Sequence, residues 1–301
     1  MVFNMQPFQE VLSKVWFIPA KVDDELPYPN ALFINDRKKL LIDTGVGRNV
    51  IKRLLKAFGQ PDIIFYSHAH EDHISESGMF ESQTRFIHKK DLLTATSKQE
   101  LYRIYGIETP EIREAFDRYF RALNYSPLKN LQTFEDRQIY DLGEIEVKII
   151  HAPGHSAGHT VFEIVNQGLI YTSDIDLSSF GPWYGGLDGD VQDFKNSINK
   201  VRKLSPKILI SCHQGLFKKN IDKKLEKSLK IIEEREQKLL NFLAKPKSLT
   251  DLVGSGLIYQ EFPTLKEIYV VAERIMIEKH LKLFLKEGRI EKQAERYQRV
   301  D

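Results

Sequence analysis

Residues 67–73 read SHAHEDH and follow directly on the apolar run Ile63-Ile64-Phe65-Tyr66. Three histidines and two carboxylates behind what reads as a buried strand are costly to desolvate unless something compensates for them. On an extended segment that turns into a loop, alternate residues share a face. His68 and His70 can therefore reach one metal ion, while Asp72 and His73 reach a second beyond the turn and Glu71 is the spacer that points away. Imidazole nitrogen and carboxylate oxygen suit zinc, or iron or manganese, and the absence of thiolate argues against a closed structural zinc site. The bland alternative is a polar loop of surface histidines, and four ligand-type residues in six positions weigh against it.

The same logic picks out three more strand ends. In IHAPGH a Pro-Gly turn presents His155, in LIYTSD Asp174 follows the apolar run 169–171, and in ILISCH His213 closes another apolar run. Each alone reads as a cap or a satisfied core group. Together they supply a third ligand to each metal and a bridge between the two. Asp176 lies on the same face as Asp174, but Asp174 is the better bridge because it directly follows the strand.

Short β-rich runs recur from VWFIPA to KILISCH, each bounded by Gly, Pro, Asn or Asp, with helical patterns at 49–58 and 191–204 between them. An interruption at about 92–131 begins a helix at Thr109-Pro110-Glu111 and carries Ile112, Phe116, Tyr119 and Leu123 at helical spacing. It reads as a helical insertion, whose aromatic stripe is either packing or a lid. After His213 come a long charged helix over 222–243, a KPKS hinge, a short helix, a helix over 265–286 and an alternating ribbon, which is a winged-helix arrangement. The expected domains are thus 1–217 and 218–301.

With these residues in view, the chain resembles the metallo-β-lactamase superfamily. HAHEDH matches H-x-H-x-D-H, APGHSAGH matches P-G-H-x-x-G-H, SDID matches the bridging aspartate and SCHQG the last histidine, in the family's order over about 31–215. The resemblance implies an α/β fold, the αββα sandwich. It places His68, His70 and His155 on metal one, Asp72, His73 and His213 on metal two, Asp174 between them and Asp43 as a brace. It also implies a dinuclear hydrolase in which a bridging hydroxide forms at neutral pH. Asp72 and Asp174 are the expected catalytic carboxylates. His159 is a turn or supporting residue, and His88, His151 and His280 match nothing in the pattern. Where many relatives have Gly-Gly after the Asp-His pair, this chain has ISESG. Tyr184, in the glycine-rich stretch SSFGPWYGGLDGD, is a candidate donor to a developing oxyanion, the alternative being a tight loop pinned by a buried Trp. The C-terminal segment resembles that of β-lactamase-like-2 type hydrolases.

Composition narrows the function. A net charge of only +2 does not suit a dedicated polyanion binder, and the single Cys212 excludes an internal disulfide framework and fits a reducing compartment. No apolar stretch approaches about 18 residues and the N-terminus lacks a signal-peptide core, so a cytoplasmic protein without a membrane span is expected. The leading expectation is hydrolysis of a small carboxylic ester, thioester or lactone on two divalent ions, zinc foremost, with a homodimer open. Alternatives are a metal-dependent endoribonuclease or phosphodiesterase whose winged helix holds nucleic acid, and a DNA-binding regulator with a vestigial site.

Overall fold

The computed structural model describes residues 7–23, 26–262 and 266–300. An antiparallel run of β1 (Gln9–Leu12), β2 (Val15–Ile18), β3 (Ala31–Asn35) and β4 (Lys39–Ile42) is continued in parallel by β5 (Ile63–Phe65), β6 (Thr84–His88) and β7 (Leu131–Phe134). These form one seven-stranded sheet in sequence order. Helix α1 (Arg48–Phe58) links β4 to β5, and the short α2 (Glu71–Ile74) follows β5. The insertion between β6 and β7 is α3 (Leu92–Thr96), α4 (Lys98–Ile104) and α5 (Pro110–Ala122). Pro110 stands in the first turn of α5, where the Thr109 side chain accepts a hydrogen bond from Ile112 N.

The second sheet comprises β8 (Ile139–Asp141), β9 (Glu146–His151), β10 (Thr160–Ile164), β11 (Leu169–Ser173), β12 (Ile208–Ser211) and β13 (Gly215–Phe217), ordered β13-β12-β11-β10-β9-β8. The helix α6 (Val191–Lys203) joins β11 to its parallel neighbour β12. Beyond β13 the chain is helix-rich: α7 (Ile221–Phe242), β14 (Lys247–Ser248), α8 (Leu249–Leu252), α9 (Lys266–Lys286), then the ribbon β15 (Ile290–Gln293) and β16 (Arg296–Arg299). The three short strands make a sheet in the order β14-β16-β15. Residues 1–6 and Leu265, which the sequence assigned to the N-terminal segment and the last long helix, lie outside the described residues. Among the described residues no helix is long and apolar enough to cross a membrane.

Strand parity explains the layers, because successive side chains point to opposite faces. Leu32, Ile34, Leu40 and Ile42 face the second sheet and meet Val147, Ile149, Phe162 and Ile210, whereas Phe33 and Leu41 face outward under Val50, Ile51 and Leu54 of α1. On the far side Ile150, Val161, Ile170 and Leu209 pack beneath Phe194 and Ile198 of α6 and Leu225 and Ile232 of α7. The result is the expected αββα sandwich, apolar on both faces of both sheets, with the polar loops gathered at the strand ends. α7 continues past this core to a smaller one, where Leu239, Leu240 and Leu243 meet Leu252, Leu281, Phe284 and Ile290.

Phe162 is fully buried between the sheets, its ring 5.7 Å from that of Phe65 and 6.0 Å from that of Phe134. Truncation to alanine leaves a cavity that both sheets are too rigid to fill. Phe162→Ala should cost about 3–5 kcal/mol, read as a lower urea midpoint at unchanged m-value.

Candidate metal centre

Strand-end loops from both sheets converge at one rim of the sandwich. After β5 the chain stays extended through His70, whose φ of −67° and ψ of 145° hand over to α2, so His68 and His70 lie on one side and Asp72 and His73 on the next turn. The Pro-Gly turn after β9 presents His155. Gly154 sits at φ 131°, and a Cβ there would lie 2.3 Å from the Phe194 backbone, so only glycine fits. Asp174 and His213 follow β11 and β12.

Two groups of candidate ligand atoms form. In the first, His155 Nε2 is 3.1 Å from His68 Nε2 and 2.9 Å from His70 Nδ1. In the second, His73 Nε2 is 2.9 Å from Asp174 Oδ1, and the Asp72 carboxylate stands 3.5 Å from His213 Nε2 and 3.7 Å from His73 Nε2. Asp174 lies between the two, its other oxygen 3.2 Å from His155 Nε2 and 3.7 Å from His213 Nε2.

The supporting contacts set the tautomers. His155 Nδ1–H donates to the Trp183 carbonyl at 2.8 Å and His73 Nδ1–H to Asp43 Oδ2 at 2.8 Å, which turns both Nε2 atoms toward the cluster. Asp43 takes a left-handed φ of 64° and also accepts from Ser67 N and Oγ and from Tyr171 OH, so the brace is itself over-determined. His159 donates to the Ala152 carbonyl and accepts from Asp174 N at 3.1 Å, which fixes the backbone of the central carboxylate.

The donor set fits cations. Burial and the neighbouring imidazoles hold His68 and His70 well below the ordinary histidine value, so both are neutral donors. Three nitrogens bound tetrahedrally at ~2.0–2.1 Å lie roughly 3.3 Å apart, close to the spacing of the first group. For His73 burial acts downward, but Asp174, Asp72 and Asp43 outweigh it and hold the group well above its usual range. Its Nε2 is nonetheless buried without an aligned hydrogen-bond partner among the described residues. Burial likewise opposes His213, which Asp174 and Asp72 push up to about 9. A cation in the second group would take the place of these protons.

Several placements differ from the sequence reading. Tyr184 does not reach the cluster. It is fully buried against Phe194, its hydroxyl 2.8 Å from His280 Nε2 and within reach of Arg235, so it has no access to a reacting oxygen. His280, which matched nothing in the sequence pattern, is its partner. Glu71 does not point away: the first turn of α2 swings it into the cavity above the cluster, where Tyr105 OH donates to it at 2.7 Å. Asp176 turns instead to Ser211 Oγ. His88 and His151 stack on each other, 4.1 Å apart. In ISESG, Glu76 adopts the left-handed φ of 61° that glycine would take freely, held by Arg48 at 3.0 Å and Asn124 at 2.8 Å.

Other residues at the site gave little or no signal in the sequence. Asp91 accepts from Ala69 N, Ser156 Oγ and Gly158 N, tying the HAHEDH loop to the PGHSAGH loop. Cys212 Sγ lies 2.8 Å from Asp174 Oδ1; its place just before His213 was the only available hint. From the C-terminal helices, Arg235 donates to the Phe180 and Pro182 carbonyls, both at 2.6 Å, and Lys279 to those of Tyr184 and Gly186. They hold from behind the loop whose Trp183 carbonyl orients His155.

Comparison with known proteins agrees with this geometry. Residues 25–213 match the family described as the metallo-beta-lactamase superfamily. The chain belongs to that superfamily. Its members bind divalent metals, typically two, which accords with the two groups of ligand atoms here. The chain is 24% identical over 208 residues to an atrochrysone carboxyl ACP thioesterase of Aspergillus fumigatus, covering 67% of this chain and 55% of that one. It is 30% identical over 115 residues to a hydroxyacylglutathione hydrolase of Pelagibacter ubique, covering 35% of this chain and 47% of the relative. The matches thus span about half the length of each of these relatives. The solved structure of a metallo-beta-lactamase family protein from Thermus thermophilus superposes with a TM-score of 0.76 at 19% identity, over 97% of this chain and all of that one. The likeness of fold therefore extends through the C-terminal helices.

Two outcomes check the superfamily member's site. Asp43→Ala removes the acceptor of His73 Nδ1–H, and metal affinity measured by chelator competition should fall by about 10–100-fold. Tyr184→Phe should change kcat by no more than about twofold, since among the described residues the lost hydroxyl bonds to His280 and Arg235 and to none of the cluster, whereas loss of an oxyanion donor costs about 100–1000-fold.

Proposed function

We propose that the protein is a dinuclear metal-dependent hydrolase of a small carboxylic ester, thioester or lactone. His68, His70 and His155 would hold one ion and Asp72, His73 and His213 the other, with Asp174 shared. The observation that carries this reading is the Asp174 carboxylate, with one oxygen turned to each group of imidazoles at the floor of a cavity of about 420 Å³. Two divalent ions bound there supply an activated water at neutral pH and polarise the substrate's carbonyl oxygen. Zinc is the favoured ion over iron or manganese, because the three closely set imidazoles of the first group suit its tetrahedral coordination.

The protein's own groups do the positioning. Asp43 and the Trp183 carbonyl fix two ring orientations, His159 fixes the Asp174 backbone, and Asp91 locks two ligand loops together. The cavity has the size of a small-molecule site, which runs from about 300 to 1,000 Å³, and so favours a compact substrate over a polynucleotide. The names of the two curated relatives, a thioesterase and a hydroxyacylglutathione hydrolase, point the same way. The segment 218–301 is read as a winged-helix-like unit that packs on the catalytic part, because Arg235 and Lys279 turn inward to the site loop instead of facing a nucleic acid. A cytoplasmic location accompanies this reading.

The test is metal analysis of the purified protein with parallel assays on a thioester, a lactone and a bis-phosphodiester. About two metals per chain with turnover of the thioester or lactone is expected; turnover of the phosphodiester alone would overturn the assignment. Asp174→Asn should lose one metal and more than ~100-fold in kcat/KM, beyond what loss of an outer partner costs.

A further inference from the structure

The cavity above the ligand cluster has a wall unlike its floor. Tyr105, Phe116 and Tyr119 of the insertion form one side, Ile268 and Ala272 of α9 the other, and Trp183 stands between them. Ile268 also packs against the insertion's own apolar cluster, so the two helical segments meet and bound the chamber. Trp183 stands edge-on to His70, with ring centroids 5.7 Å apart at 86°, so the apolar wall begins directly beside the ligands.

Apart from the cluster itself, only two charged side chains among the described residues line the chamber, and neither is placed to meet a charged substrate tail. Glu71 is buried and capped by Tyr105 OH at 2.7 Å. Arg118 is a mouth residue, with its side chain 57% exposed and paired with Glu114 at 3.0 Å. A carboxylate or phosphate seated between α5 and α9 would lose its water and, short of the exposed Arg118 already paired with Glu114 at the mouth, meet no cation among the described side chains, which disfavours it. An alkyl or aryl group there would gain from leaving water instead.

We propose that this chamber is an acyl pocket: it seats an uncharged, apolar acyl group between the insertion and α9, with the scissile carbonyl over the ligand cluster. This rests on the hydrolase reading above and names its substrate class. The length of the acyl group is limited, because the chamber holds about 420 Å³ and is walled on both sides. Selectivity lies in binding more than in the chemical step, since these walls touch the chain and not the reacting carbonyl.

The experiment uses the full-length, metal-loaded protein and a series of thioesters of one thiol, from acetyl to hexadecanoyl, together with ω-carboxylated members of matched length. kcat/KM should rise by about fourfold per methylene, chiefly through KM, until the chamber is full, and then fall. The adipoyl thioester should be at least ~100-fold poorer than the hexanoyl one. Ile268→Trp should lower the ratio of decanoyl to acetyl kcat/KM by more than ~10-fold; a ratio within one variant is insensitive to any loss of folded protein. A flat series, an optimum at acetyl, or a preference for the carboxylated thioesters would overturn the acyl pocket while leaving the hydrolase reading standing. Turnover of no thioester, ester or lactone beside turnover of a phosphodiester would overturn both.

Discussion

The Asp174 carboxylate, placed between two groups of imidazoles, is the arrangement on which the rest of the molecule depends. Its oxygens stand 2.9 Å from His73 Nε2 and 3.2 Å from His155 Nε2, and these two histidines come from loops of different sheets. A displacement of either sheet by one residue of register would move the carboxylate to the wrong face, because side-chain direction alternates along a strand. The tightly filled layer between the sheets, with Phe65, Phe134 and Phe162 at its centre, fixes that relative position. Charge does the same locally: Asp174 is held well below the ordinary carboxylate range by His155 and His73, although burial acts in the opposite direction. The pair of sheets therefore positions the charge, and the charge in turn makes the burial of so many polar groups tolerable.

A buried polar network carries this geometry from one sheet to the other. Tyr171 of β11 donates to Asp43 at the end of β4, and Ser173 donates to Ser67 behind β5, at 2.7 and 2.8 Å. Ser173 and Asp43 both adopt left-handed backbone conformations, φ 49° and 64°, at the strand ends that border the cluster. Two non-glycine residues in that region cost backbone energy, which the shared hydrogen bonds offset. The strain sits where the loops must turn most sharply to bring their ligands inward.

The layered fold and the convergence of the strand-end His and Asp residues were legible in the sequence because both follow periodic rules. An apolar run ending in His or Asp fixes where the side chain emerges, and His68, His155, Asp174 and His213 are found just beyond such ends. The insertion was legible through Thr109-Pro110, which starts α5, and the long C-terminal helix through its apolar stripe, observed as Ile221–Phe242. What escaped depends on direction without period. Tyr184 lies in a glycine-rich loop, where no alternation says which way a ring points, and it turned into the core. Glu71 was misplaced because the extended segment becomes α2 at that residue and rotates the next side chain by helical geometry. Arg235 and Lys279 lie 53 and 95 residues beyond the carbonyls they hold at Pro182 and Tyr184, and no local pattern announces such a pairing.

These long-range contacts place the C-terminal helices inside the working part of the protein. Trp183 does two things at once: its carbonyl orients His155, and its ring walls the chamber. Its backbone is flanked by the carbonyls that Arg235 and Lys279 grip, and its indole N–H donates to Tyr259 OH at 2.9 Å. Ligand orientation and pocket shape are therefore coupled through one residue, itself held by the segment after β13 and by the loop it belongs to. A shift of α7 or α9 that moves Trp183 moves the His155 acceptor and that part of the pocket wall together. That coupling gives the inward-facing Arg235 and Lys279 a role: removing these two side chains would release the loop that orients His155 and carries Trp183.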